Sequence, residues 1–235
     1  MPKLLILIVL LFCLPLSKIN DVPDSKRASD VRLKVWPRLQ KELTDKNFDS
    51  NYRLYIRIIK NIDLLEIWAK KGNTYELFKR YDICYYLGDL GTKTRSGDNK
   101  SPEGFYTIEA GQLFPDSRYH LAMNIGYPNK LERLKGYTGD AIMIHGRCAS
   151  VGCYAMTDEG IDEIYTLVYK ALKSGQKKVD LAIYPFRMTD EKTKSYVASP
   201  YYSFWKTLKP GYQLFENSHV PPTVGVKNLQ YVFGK

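Results

Sequence analysis

His145 and Cys153 lie eight positions apart in a stretch of mostly small residues, His145-Gly146-Arg147-Cys148-Ala149-Ser150-Val151-Gly152-Cys153. That pairing suits a thiol nucleophile. The thiolate is the attacking species, and a free thiol with pKa near ~8.5 supplies little of it at neutral pH. A nearby imidazole can take the proton or hold the ion pair. Gly152, directly before Cys153, lets the backbone approach a substrate carbonyl and turn N–H groups toward a developing oxyanion. Gly146 offers comparable room and a backbone donor beside His145. The Ser150 hydroxyl could orient His145, donate to the oxyanion, or only shape the turn.

The other cysteines leave more than one reading open. With the N-terminal segment set aside, Cys84, Cys148 and Cys153 remain, an odd number that leaves at least one thiol unpaired within the chain. Cys84 alternates with Ile83 and Tyr85 in a strand-like run and reads as a small core residue. Cys148 reads most simply as a small loop residue. It could also form a disulfide with Cys153, or join His145 and Cys153 around zinc, although a fourth ligand is missing. No metal and no organic cofactor is expected.

The elements that must position these residues follow from periodicity. Residues 53–60 alternate and are rich in β-formers, 64–68 form a neighbour, and Lys71-Gly72-Asn73 marks a hairpin turn before a strand at 75–86. Residues 88–104 form a long loop of Gly, Asp, Ser, Lys and Arg, of the kind that rims a site. Strands are expected near 105–110, 118–126 and 140–145, the last ending at His145. Thr157 and Asp158 offer helix N-cap chemistry, and Ile161, Ile164, Tyr165, Val168, Ala171 and Leu172 share one helical face that Gly175 closes. The positive end of that helix would lie near Cys153. A strand at 178–186, amphipathic helices at 188–197 and 201–208, and an irregular tail from Pro221 complete the chain. Residues 21–51 read as a linker or a helix packed outside the core, with Val31, Val35 and Leu39 at helical spacing and Pro37 arguing against one long helix.

The chain has 235 residues and a net charge of +10. That charge favours anionic partners, but no zinc-finger spacing, RNP pattern or recognition helix accompanies it, so no nucleic-acid partner is expected. The 19 tyrosines suit strands, or grooves for peptide or carbohydrate. Residues 4–16 form an apolar run after Lys3, too short for a comfortable membrane span. Residues 1–20 therefore read as a signal peptide or N-terminal anchor, and the protein as exported. Cys13 invites a lipoprotein reading, which bulky Phe12 disfavours.

His145-Gly146 followed by Ser150-Val151-Gly152-Cys153 resembles the active-site signature of the YkuD-type L,D-transpeptidase family. Ser101-Pro102-Glu103-Gly104-Phe105-Tyr106 looks like that family's Ser/Thr-Pro-x-Gly turn. Gly88-Asp89-Leu90-Gly91, Gly97-Asp98, the short His-to-Cys spacing, residues 152–158 and Pro185-Phe186-Arg187-Met188 look most like its YafK-like branch. The resemblance covers roughly residues 52–190. It implies a mainly β fold with packed helices (α+β), a mixed β-sheet or sandwich, with residues 191–235 as a helical extension packed on the catalytic domain. It also implies acyl transfer on peptidoglycan stem peptides in the periplasm or otherwise outside the cytoplasmic membrane, with Cys153 as nucleophile and His145 as base. Many members carry a second histidine where Val151 stands and an arginine where Ala155 stands. Arg187 could replace that arginine in binding a substrate carboxylate. His120 could face the pocket, or lie on the sheet surface. The branch includes an amidase that releases lipoprotein from the wall, so hydrolysis competes with transpeptidation, and a non-catalytic wall-binding module is the reading from another class.

Overall fold

The computed structural model describes residues 21–84, 86–87 and 89–234, so the expected signal or anchor lies outside the described residues. The chain opens with α1 (Lys26–Asp45), capped by the Ser25 hydroxyl, which accepts the Ala28 N–H. Ala28, Val31, Val35, Leu39 and Leu43 form its buried stripe. Contrary to expectation, Pro37 does not divide this helix. Pro37 lies on the solvent side, as does Leu33, whose carbonyl loses its partner and is 74% exposed at the residue level. One lost bond facing water leaves the apolar stripe intact.

Next come β1 (Leu54–Ile59), β2 (Leu64–Lys71), β3 (Thr74–Asp82), the short β4 (Tyr86–Leu87) and β5 (Gly104–Glu109). They are followed by β6 (Leu113–Phe114), β7 (Ala122–Asn124), α2 (Lys130–Leu134), β8 (Met143–His145), β9 (Ser150–Val151) and β10 (Tyr154–Ala155). The chain then runs through α3 (Asp158–Lys173), β11 (Lys178–Tyr184), α4 (Asp190–Lys194), α5 (Tyr202–Ser218), β12 (Thr223–Lys227) and β13 (Gln230–Gly234). The main sheet has the order β3-β2-β1-β11-β5, with β1 and β11 parallel and the other pairs antiparallel. A second sheet, β10-β8-β7-β6, carries both residues of the candidate catalytic pair at or beside its strand ends. The mixed α+β architecture expected from the sequence is therefore present.

Strand alternation divides the interior in two. Leu54, Ile56 and Ile58 of β1, with Val179, Leu181 and Ile183 of β11, pack toward α1, α3 and the second sheet. Tyr55 and Ile59, with Ala182 and Tyr184, face Trp205, Leu208, Tyr212 and Phe215 of α5. β1 was expected to alternate but is buried on both faces, as a strand covered on both sides is.

Two expectations for the C-terminus are corrected. The second helix does not stop at Leu208 but runs to Ser218 through Pro210, whose freed partner, the Lys206 carbonyl, belongs to an exposed residue. The tail is not irregular: β12 and β13 form a hairpin turned by Asn228 and Leu229, both left-handed. Asparagine suits that two-residue turn, but leucine does not, which hid the hairpin in the sequence. Tyr231 anchors it, with its ring 5.0 Å from Phe105 and its hydroxyl accepting from Asn129 Nδ2 at 2.8 Å.

At the end of β1 a charged pair sits inside the protein. Lys60 Nζ donates to Glu103 Oε1 at 2.9 Å, and both side chains are fully buried. Its other protons go to the Gly91 carbonyl at 2.9 Å and the Ser101 carbonyl at 3.0 Å. Glu103 Oε1 also accepts the Gly91 N–H at 2.9 Å, and Oε2 accepts Trp205 Nε1 at 2.7 Å. Burial pulls the Lys60 ammonium below its ordinary range, and Glu103 opposes that shift. Lys60→Met leaves a buried carboxylate uncompensated and is expected to cost about 3–5 kcal/mol in urea unfolding. The double change Lys60→Met with Glu103→Gln should recover much of that loss; equal losses in the single and double variants would remove the pairing from the argument.

Candidate active site

β8 and β10 run parallel, with Ile144 opposite Tyr154 and His145 opposite Ala155. Successive residues of a strand point to opposite faces, so the register puts Cys153, just before β10, on the same face as His145 and diagonal to it. The Cys153 thiol is free and half-buried. Its Sγ donates to the Ala141 carbonyl at 3.6 Å and accepts the Met143 N–H at 3.4 Å. Its backbone N–H donates to Ser150 Oγ at 2.8 Å. Of the three roles open to Ser150, shaping the turn is the one this contact serves.

His145 is 3% exposed. Its Nδ1 lies 2.6 Å from the Gly146 carbonyl oxygen. A carbonyl can only accept, so Nδ1 carries the proton and Nε2 presents a lone pair. Burial lowers the His145 pKa below the ordinary 6.5. The resting imidazole is thus neutral, the form a general base needs. The Tyr119 ring lies against it, with centroids 4.6 Å apart.

The two glycines serve different ends. Gly152 takes φ +90, and a side chain there would sit 3.2 Å from the Lys100 carbonyl. Gly146 is a matter of space: a Cβ would lie 2.6 Å from Asp158 Oδ1 and 3.0 Å from both Ile161 Cγ2 and the Tyr119 carbonyl. The start of α3 accordingly packs against Gly146 and Arg147, whose N–H donates to Asp158 Oδ1 at 2.8 Å. Thr157 caps the helix by accepting from the Gly160 N–H. The hydrogen bonds to Cys153 come from the 141–150 segment rather than from this helix end. The 88–104 loop does reach the turn, through Lys100 beside Gly152 and through the Pro102 carbonyl, which accepts the Tyr154 hydroxyl at 2.7 Å.

His120 and Arg187 stand elsewhere. His120 Nε2 is 2.6 Å from Asp162 Oδ1 on α3, so it is Tyr119 rather than His120 that meets His145. Arg187 donates to Glu66 Oε1 at 2.8 Å. Glu66 pairs with Arg57 on the α5 side of the main sheet, the face opposite the second sheet. Ala155 is fully buried opposite His145.

Cys84 and Cys148 form a disulfide with Cα atoms 5.2 Å apart. This corrects the readings of Cys84 as a core thiol and Cys148 as a plain loop residue. It also takes Cys148 out of any zinc site or bond to Cys153. Among the described residues no cluster of His, Cys, Asp and Glu suited to a metal ion occurs. Assigning the free thiol to Cys153 leaves two cysteines in a chain read as exported, and that remainder was the signal for the pairing. Closing a separation of 64 residues contributes roughly 4 kcal/mol in the chain-entropy view.

The YkuD family model, an L,D-transpeptidase catalytic domain, matches residues 57–211, from within β1 to within α5. The chain belongs to this family. It is 52% identical over 182 residues to an Escherichia coli K12 protein named "Putative L,D-transpeptidase YafK", covering 77% of this chain and 74% of that one. The protein of the same name from E. coli O157:H7 matches to the same extent. Among solved structures, the helical cell shape determining protein Pgp2 (K307A mutant) from Campylobacter jejuni aligns at TM-score 0.47 and 22% identity, over 82% of this chain and 66% of that one. His145, Cys153 and the Ser101–Tyr106 turn all lie inside the family match.

As the candidate base, His145 must be neutral to act, and this sets the expected pH dependence. The acid limb of kcat/KM is expected below pH 6.5, because burial holds the imidazole unprotonated to lower pH. A pH–rate profile of wild type against His145→Asn checks this; an acid limb unchanged by His145→Asn would assign the titration to another group.

Proposed function

We propose that Cys153 is the nucleophile of an acyl transfer on peptidoglycan stem peptides, with His145 as its base. The observation that carries this reading is the free Cys153 thiol on the same sheet face as a neutral His145 whose Nε2 lone pair is unprotonated. The Cys153 proton passes to Nε2 as sulfur attacks the carbonyl of a stem-peptide amide. The tetrahedral oxyanion calls for backbone N–H donors, each of this kind contributing about 3–4 kcal/mol, and those of Gly146, Arg147, Cys148 and Cys153 are engaged in the resting turn. His145 then protonates the leaving amine, and a thioester remains on Cys153. An acceptor amine attacking that thioester completes a transpeptidation; water completes a hydrolysis.

The hydrolytic reading has an observation of its own. Ala155 is sealed, so no cation stands where the wider family places an arginine for a peptide carboxylate, and Cys153 is only half-buried. A wall-linked lipoprotein peptide is a substrate class that such a site would release. Export fits both readings: the apolar run at 4–16 supports it, as does a disulfide, which persists outside a reducing cytosol. Among the described residues no helix is long and apolar enough to cross a membrane.

Mass spectrometry of wall fragments, some carrying a linked lipoprotein peptide, decides between these readings. Wild type is expected to yield crosslinked or amino-acid-exchanged products, and Cys153→Ala none. Release of the linked peptide with gain of one water establishes the amidase. The absence of any wild-type product favours a wall-binding module.

A further inference from the structure

The turn between His145 and Cys153 holds two non-glycine residues in left-handed backbone, Arg147 at φ 65 and Cys148 at φ 39. Such conformations persist only where the surroundings over-determine them. Here the surroundings come from the 84–87 segment. The disulfide joins Cys84 and Cys148 immediately before β4 and β9, which then pair in parallel, residue 86 with Ser150 and residue 87 with Val151. A parallel ladder of two residues has little stability of its own, so its register depends on the link that precedes it. Ser150, in that ladder, accepts the Cys153 backbone N–H. The Cys84 N–H donates to the Ala155 carbonyl at 2.8 Å, and the Cys148 N–H to the Met156 carbonyl at 3.0 Å. The disulfide thus bears on the turn from both sides of Cys153 while leaving its thiol free.

We propose that the Cys84–Cys148 disulfide is a positioning element for Cys153, so that the enzyme is active when this bond is formed and is switched off by a dithiol that opens it. The inference rests on Cys153 being the nucleophile. Cys148 is exposed and Cys84 half-buried, so attack is assigned to the Cys148 sulfur. A dithiol thiolate attacks it, and Cys84 leaves as thiolate. The second thiol of the reagent then closes on the mixed disulfide and releases Cys148. Two electrons and two protons pass from the dithiol to the protein, and a disulfide oxidant reverses the step. Neither cysteine belongs to the two apolar clusters of the core.

The test follows turnover of wall fragments and the rate of Cys153 alkylation by iodoacetamide, resolved by peptide mapping, while dithiothreitol opens the bond. Opening is expected to lower kcat and the Cys153 alkylation rate at least about tenfold, the scale of a small misplacement of a reacting group. Far-UV circular dichroism should not change, and oxidised glutathione should restore both rates. The variant Cys84→Ser/Cys148→Ser should show the same loss without reductant, with KM little changed and the His145-dependent inflection gone from its alkylation pH profile. If opened wild type keeps both rates within about twofold, or the folded variant keeps the inflection, the proposal is overturned. Should oxidised wild type turn over no fragment, the proposed reaction fails, yet the alkylation comparison still decides the positioning role.

Discussion

The arrangement depends on one buried charge pair. Lys60 and Glu103 have no water to solvate them, so each must be satisfied by protein. Satisfying them draws in the Gly91 and Ser101 carbonyls, the Gly91 N–H and the indole of Trp205. These groups belong to the end of β1, the long loop, the start of β5 and α5. A loop of polar residues is thereby tied to the end of β1 and to α5. The Tyr201 ring lies against Gly91, at φ +117, with no room for a side chain between them. Because Lys100 and Pro102 of this loop touch Gly152 and Tyr154, the order imposed by the pair reaches the Cys153 turn.

Around Cys153 the protein solves a second problem, presenting a thiol at a strand end without losing control of it. The parallel β8–β10 pair sets the face and the offset of His145 and Cys153. Burial keeps His145 neutral, and the Gly146 carbonyl selects its tautomer, so one local contact assigns the proton and frees the other nitrogen. Gly146 allows α3 to pack directly behind His145, and Gly152 allows the backbone to reverse beside the loop. Each is needed for a different reason, one for space and the other for a left-handed φ.

The opposite face of the main sheet serves stability. Arg57 is fully buried there among Trp68, Tyr212 and Phe215 and is paired with Glu66, which also receives Arg187. Charges on this face answer one another, whereas the Cys153 thiol, at the second sheet, stays free and half-buried.

The linear order of residues was enough to single out His145, Gly152 and Cys153 as candidates, because an imidazole, a small residue and a thiol close in sequence form a local pattern. It was also enough for α3, whose apolar period of 3.6 is a short-range property, and for the presence of β1, although β1 was expected to alternate and is buried on both faces. Local signals failed where a distant partner decided the outcome. Pro37 and Pro210 sit inside helices because packing of the buried stripes outweighs one solvent-facing bond. Leu229 turns a hairpin because Tyr231 is anchored beside it. Cys84 and Cys148 pair across 64 positions, and Lys60 meets Glu103 across 43. Composition and spacing determine which groups are available. Which of them meet is settled by the sheet register and by the cost of burying an unpaired charge, and both exist only once the chain has folded.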